Sequence, residues 1–193
     1  MFDQRGIADS SVNDTVTNLL DAVYGQHWII IYKDLPTLRE FYSQYAKRQI
    51  EERNGSLLIS PYYETNNQVR QTLSEDGLHK EASKYEKENI LSIMDSMTLN
   101  FAKESVIDFL SKISKHTQSI GKEGITVLND MGCYVNNSKL EELVDYELTL
   151  PSEYDLPVKG MCLYHHKDFD RLSAEQKQMV VEHHSKVIKI NEI

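Results

Sequence analysis

The chain has 193 residues, 40% of them hydrophobic, enough for one well-packed domain and too few for two comfortable ones. With 30 acidic against 21 basic residues the net charge is −9, which opposes the counterion release that nucleic-acid binding depends on. No apolar run approaches the ~20 residues that span a bilayer, so neither nucleic acid nor a membrane is expected as a direct partner.

Two cysteines, Cys133 and Cys162, make no disulfide framework. The opening "MFDQRGIADSSVNDTV" lacks the basic and then apolar order of a signal peptide, and a cytoplasmic location is expected.

Residues 1–24 read as a leader, polar and turn-rich at first, in which "VTNLLDAV" makes a short helix before Gly25 stops it. The domain proper is expected over 25–193. "HWIIIY" (27–32) opens it as a continuous apolar run, the pattern of a strand covered on both faces in a parallel sheet. "SLLIS" (56–60), "ITVL" (125–128), "MCLY" (161–164) and "KVIKI" (186–190) repeat the type.

Between these strands, three-and-four spacing predicts a helix from Leu35 to Arg53, capped by Asp34 and ended by Asn54-Gly55. A second helix is predicted over 102–120, stopping at Gly121. Two more open with the capping boxes Ser138-x-x-Glu141 and Ser173-x-x-Gln176. The stretch 79–97 reads as a short strand or loop and then a strand from Ile90 to Met94. Strand and helix alternating in this way predict an α/β fold, a doubly wound or RecA-like sandwich with a mostly parallel central sheet flanked by helices.

Such a fold invites a nucleotide, yet the turn after the first strand reads "YKDLPTLRE", with no glycine. No G-x-x-x-x-G-K-[ST] and no G-x-G-x-x-G occurs, so the P-loop is absent. G-x-S-x-G and H-E-x-x-H are missing as well, and no enzyme activity is expected.

Some polar residues break the apolar pattern. On a helical wheel Leu140, Leu143, Val144 and Leu148 form an arc with Glu147 in its middle. A carboxylate aimed at a core must be paired, hydrogen-bonded, protonated or beside a cavity. Its role is either an ion pair, with His27 or Arg48 as partner, or the lining of a ligand pocket.

On the last helix Met179 and Val180 set the inner arc with His183 between them, to be satisfied by a backbone carbonyl, while His184 lies at the edge and caps the final carbonyls. An alternative metal set is Cys162, His165 and His183 or His184. Cys162 and His165 point to opposite faces of a strand, however, so no metal and no cofactor is expected. Neither cysteine has a local motif for nucleophilic catalysis, and Cys162 reads as buried and structural. The tyrosines, "PYYE" (61–64) among them, either line an amphipathic pocket or edge the core.

The order of landmarks resembles the MEDS family of sensory domains, related to the RecA-like KaiC fold. Gly25 and His27 match its opening G-x-H, Tyr146-Glu147 its Y-E, Cys162-Leu163-Tyr164 its C-x-Y strand, and His184 its closing histidine before "VI". His165 departs from the pattern, standing where the family commonly has aspartate. The N-terminus leaves no room for a helix-turn-helix reader.

The resemblance implies a KaiC-like three-layer sandwich and a non-catalytic sensory domain for a small organic ligand, acting through a partner signalling or regulatory protein. His27, Glu147, Tyr164 and His184 are the candidate ligand-binding residues, expected at the carboxyl ends of the strands. The rival reading is a degenerate RecA-like interaction module that binds no ligand and works as a homo-oligomer or by docking on a signalling protein.

Overall fold

The apolar runs become strands of a parallel sheet in the computed structural model, which describes residues 6–191. In chain order the strands are β1 (Ala8–Ser10), β2 (His27–Tyr32), β3 (Ser56–Ser60), β4 (Leu91–Ile93), β5 (Ile125–Asp130), β6 (Val158–His165) and β7 (Lys186–Ile190). Their spatial order is β1-β7-β2-β6-β5-β3-β4, and every strand-to-strand pairing among the described residues is parallel, the isolated bridge Gln26–Glu153 alone being antiparallel. All residues of β2, β3 and β5 are buried, which is why these strands read as unbroken apolar runs.

Helices cover both faces. On one side lie α1 (Val12–Asp21), α2 (Leu35–Glu51), α3 (Asn66–Thr72) with a π-helical turn at Leu73–Gly77, and α4 (Ala82–Lys87), packed on Trp28, Ile30, Leu57 and Leu163. On the other lie α5 (Ser96–Asn100), α6 (Val106–Ser119), α7 (Gly132–Asn136), α8 (Leu140–Thr149), α9 (His166–Phe169) and α10 (Ala174–His183). These pack on Ile29, Ile31, Cys162 and Val187 towards one edge and on Leu58, Val127 and Val158 towards the other. The result is a three-layer sandwich. Among the described residues no helix is long and apolar enough to cross a membrane.

Several local signals act as the sequence implies. The Asp34 side chain accepts from the Thr37 amide at 3.0 Å and starts α2. Asn54 is left-handed (φ +49°) and ends its turn, as Gly121 (φ +78°) does after α6. The Ser173–Gln176 capping box is formed.

Elsewhere the structure differs. Ser138 makes no capping box: it is itself left-handed (φ +59°), closing the turn out of α7, so α8 starts one residue later behind Lys139. The helix expected from 102 starts at Val106, and residues 82–87, expected as loop or strand, form α4 ahead of β4.

The expected leader 1–24 lies outside the described residues over 1–5. From Ala8 it contributes a seventh strand, which the sequence reading did not place, and α1, whose Val16 and Leu19 are fully buried.

β6 also starts three residues earlier than its apolar run, and both hidden residues have packing reasons. Lys159 is buried, with its ammonium donating to the Leu19 and Leu20 carbonyls (2.8 and 3.2 Å) at the end of α1, where the helix dipole favours a cation. Burial, and then Arg53, push its pKa down to about 8. Gly160 leaves the space that the Tyr154 ring fills, since a Cβ there would lie 2.6 Å from the Tyr154 hydroxyl.

Gly25 fixes the entry to β2. Its amide donates to the Val158 carbonyl and its carbonyl accepts from the Tyr154 amide, both at 2.7 Å, at φ +99°. A Cβ would meet the Tyr154 carbonyl oxygen at 2.9 Å. Gly25→Ala should therefore lower the unfolding free energy by about 1–3 kcal/mol in urea titrations. A loss within error of zero would mean that this turn relaxes freely.

Candidate functional site

Strand alternation sends His27, Ile29 and Ile31 of β2, and Cys162 and Tyr164 of β6, to the face under α8. From above, α8 lowers Glu147 onto them. His184 arrives from the C-terminal end of α10, where the chain turns extended (φ −97°, ψ 147°) before entering β7. Three separate elements, β2, β6 and the end of α10, thus converge on the one carboxylate that α8 carries.

The cluster is dry: His27, Glu147, Tyr164 and His184 have no exposed surface, and Cys162 is 3% exposed. The Tyr164 hydroxyl donates to Glu147 Oε1 at 2.5 Å and the Cys162 thiol to Oε2 at 3.1 Å. His184 Nε2 lies 3.4 Å and His27 Nε2 3.9 Å from the same Oε2, and His27 Nε2 is 3.4 Å from Cys162 Sγ.

On their far sides the imidazoles meet carbonyls, His27 Nδ1 that of Pro151 at 3.1 Å and His184 Nδ1 that of Val180 at 2.7 Å. A carbonyl only accepts, so both Nδ1 atoms carry hydrogen and both Nε2 atoms face the carboxylate.

The charges follow from these contacts. Burial raises the Glu147 carboxyl, but His184, then His27 and the Tyr164 hydroxyl, outweigh it and hold the group ionised. Burial, and then His184, push His27 down to about 3 against the pull of Glu147, so that ring is neutral. Burial first and Glu147 second raise the Cys162 thiol and the Tyr164 phenol far above their ordinary values, keeping both as donors.

Beside the cluster lies a cavity of about 20 Å³. His27, Cys162 and Asn129 give it a polar edge, and Leu99 of α5 with Val106 and Leu110 of α6 give it an apolar wall. Of the tyrosines, Tyr146 and Tyr154 reach this cavity, while Tyr42, Tyr45 and Tyr134 are buried in the core.

All four candidate residues, His27, Glu147, Tyr164 and His184, meet in the buried cluster, joined by Cys162, but of the four only His27 lines the cavity. The place differs from the expected carboxyl ends: His27 opens its strand and His184 precedes one, so the cluster lies beneath α8. Arg48 is no partner of Glu147, because it belongs to α2 on the opposite face and bonds Glu52 and Thr17. The inward histidine is His184 rather than His183, and Met179 is 40% exposed. The wheel fails there because the helix ends at His183, which bonds the Leu150 carbonyl at 2.6 Å.

The alternative metal set does not assemble. His165 points to the other face, edge-on to Tyr32 with ring centroids 5.5 Å apart, and caps α9.

The carboxyl ends carry a different polar group that no motif announced. Tyr32 donates to Asp130 Oδ2 at 2.8 Å, the Gly132 amide to Oδ1 at 2.9 Å, and Tyr63 to Asp168 at 2.6 Å. The available signal was an aspartate ending a wholly buried strand.

Burial lifts the Asp130 carboxyl from 3.8 to about 7, against the opposing bonds from Gly132 and Tyr32. A folded value above the unfolded one means stability fully present below the unfolded value and lost as pH rises through the folded one. Asp130→Asn cannot titrate. The stability of wild type relative to this variant should thus fall between about pH 4 and about pH 7 in urea titrations, and a constant difference would show the folded carboxyl already ionised.

The family model described as "MEDS: MEthanogen/methylotroph, DcmR Sensory domain" matches residues 26–185. No curated protein matches. Among solved structures, the KaiC-like protein PH0186 from the hyperthermophilic archaeon Pyrococcus horikoshii OT3 is similar with a TM-score of 0.55 at 16% identity, over 88% of this chain and 75% of that one. Identity that low speaks for the fold alone, and the fold is the RecA-like, KaiC-like sandwich expected from the sequence. His27, Glu147, Cys162, Tyr164 and His184 all fall within the matched residues, and the chain belongs to the MEDS family of sensory domains.

Proposed function

We propose that this sensory domain takes up a small organic molecule between the His27–Glu147 cluster and the α5–α6 wall, and passes the event to a partner signalling protein. The observation that carries the reading is the contact between a fully buried polar cluster and an apolar cavity. That combination orients a ligand by a few polar atoms and holds it by its carbon skeleton.

The cavity, at about 20 Å³, has room for one water-sized guest, far below the several hundred Å³ of ordinary ligand pockets. A guest of several heavy atoms must therefore push Leu99, Val106 and Leu110 outward. Displacement of α5 and α6 is then the signal, because a ligand that binds only the displaced form shifts the population towards it.

A non-catalytic role suits the thiols. Burial lifts Cys133 to about 11, and burial with Glu147 beside it raises Cys162 well above its ordinary value, so neither is a thiolate nucleophile at neutral pH. Nucleotide binding is disfavoured at the start of α2, where the Asp34 carboxylate occupies the amide that a phosphate would need. The net charge of −9 favours a protein partner in the cytoplasm over nucleic acid or an anionic membrane.

The test is a thermal-shift and native-mass screen of short-chain alcohols, aldehydes, carboxylic acids and amines. A true ligand at about 100 times its Kd adds about 2.7 kcal/mol, roughly a 5–10 °C rise in Tm. Hydrogen exchange should change over residues 96–119, and Glu147→Gln should alter the affinity at least about tenfold, or ~1.4 kcal/mol, without unfolding the protein. No shift with any compound, together with a mass that grows with concentration, would replace this reading with the ligand-free interaction module.

A further inference from the structure

We infer that His27, Glu147, Cys162 and His184 form a binding site for one divalent transition-metal ion of the zinc class. The four donor atoms, two Nε2, one carboxylate oxygen and one Sγ, lie within 4.8 Å of one another in the interior. Ligands on a tetrahedral zinc ion, with bonds of about 2.0–2.3 Å, stand about 3.3–3.8 Å apart. The separations in the cluster are 3.1 Å (Cys162–Glu147), 3.4 Å (His27–Cys162), 3.4 Å (His184–Glu147) and 3.9 Å (His27–Glu147). Side-chain shifts of a few tenths of an ångström bring these four pairs to the coordinating geometry, and the two remaining pairs, His184 with His27 and with Cys162, lie within 4.8 Å and close by up to about 1 Å.

The surroundings are those of a metal site as well. Each imidazole is steered from behind by a carbonyl, Pro151 for His27 and Val180 for His184, which aims both Nε2 atoms inward. Tyr164 holds the Glu147 oxygen that faces away from the imidazoles. Carbonyl–imidazole and hydroxyl–carboxylate pairs of this kind orient metal ligands.

Charge supplies an independent argument. One thiolate, one carboxylate and two neutral imidazoles sum to two negative charges, which a divalent cation neutralises in a site that water does not reach. As the sulfur–metal bond forms, the Cys162 thiol proton leaves for solvent, and any proton held between Glu147 and the imidazoles leaves with it. One sulfur with two imidazoles favours zinc, cobalt or a similar ion over magnesium or calcium, which take oxygen ligands. The inference does not depend on an organic ligand, because the four donors would hold the ion with the cavity filled or not.

The experiment uses the full chain stripped by a chelator and titrated with cobalt(II). The expected result is saturation at one equivalent, with strong visible bands of a tetrahedral ion and a near-ultraviolet thiolate band, both abolished by added zinc. Cys162→Ser should lose the thiolate band, Cys133→Ser should keep it, and His184→Ala should weaken binding at least about 100-fold, each with the wild-type circular dichroism. Absence of the thiolate band in saturated wild type, its loss in Cys133→Ser, or its survival in Cys162→Ser would each overturn the assignment. Should Cys162→Ser or His184→Ala fail to fold, wild type and Cys133→Ser still decide it.

Discussion

An ionised carboxylate sealed inside a protein must be answered by the groups around it, and in this fold Glu147 sets that condition. The cost of drying the charge would be several kcal/mol if it were left alone. Its answer comes from the start of β2, the middle and end of β6 and the end of α10, elements far apart in sequence. The fold therefore has to be complete around this point before the charge is satisfied. The Gly25 turn that launches β2, and the break of α10 at His183, are parts of one arrangement that delivers His27 and His184 to the same oxygen.

The two faces of the sheet divide the labour. Under α1 and α2 the packing is large and apolar, with Phe41, Tyr42 and Tyr45 fully covered and most polar groups tied within the layer. Under α5 to α10 the apolar core splits into two smaller clusters, and the polar site with its cavity lies by the seam between them. The cavity wall residues Leu99 and Leu110 belong to the smaller cluster, so widening the seam disturbs that cluster and leaves the other intact. α5 has five residues and leads into a loop before α6, so the wall over the cavity is held by few contacts.

Much of this was legible in the chain because it rests on local rules. Buried parallel strands announce themselves as unbroken apolar runs, Asp34 and Ser173 are ordinary caps, and the wheel over 140–148 places Glu147 inward. The failures have equally local causes. Ala8–Ser10 is an edge strand without an apolar signal, and Lys159 and Gly160 disguise the start of β6 because their reasons, the α1 carbonyls and the Tyr154 ring, are distant. The wheel turns His183 inward in place of His184 because it assumes a helix that does not end, although the carbonyl contact of His183 and the helix-end contact of His184 are both formed. Cys162 joins the cluster through a strand register with β2, and Asp130 becomes notable only once Tyr32 lies across β6 from it. Long-range pairing of this kind is not written in any window of sequence.

The sheet order also bears on how the protein is made. Ala8 pairs with Ile188 and His27 with Gly160, so residues from near the two ends of the chain lie side by side at one edge of the sheet, and an early strand pairs with a late one further in. Contacts between such distant residues must overcome a large loop-closure entropy before any of them stabilises the chain, which places this topology among the slow folders. During synthesis β2 emerges long before β6 and β7, its partners on either side, and spends that interval as an apolar strand with both edges open. A chaperone's interest in this chain would centre on "HWIIIY" until the last strand arrives to cover it.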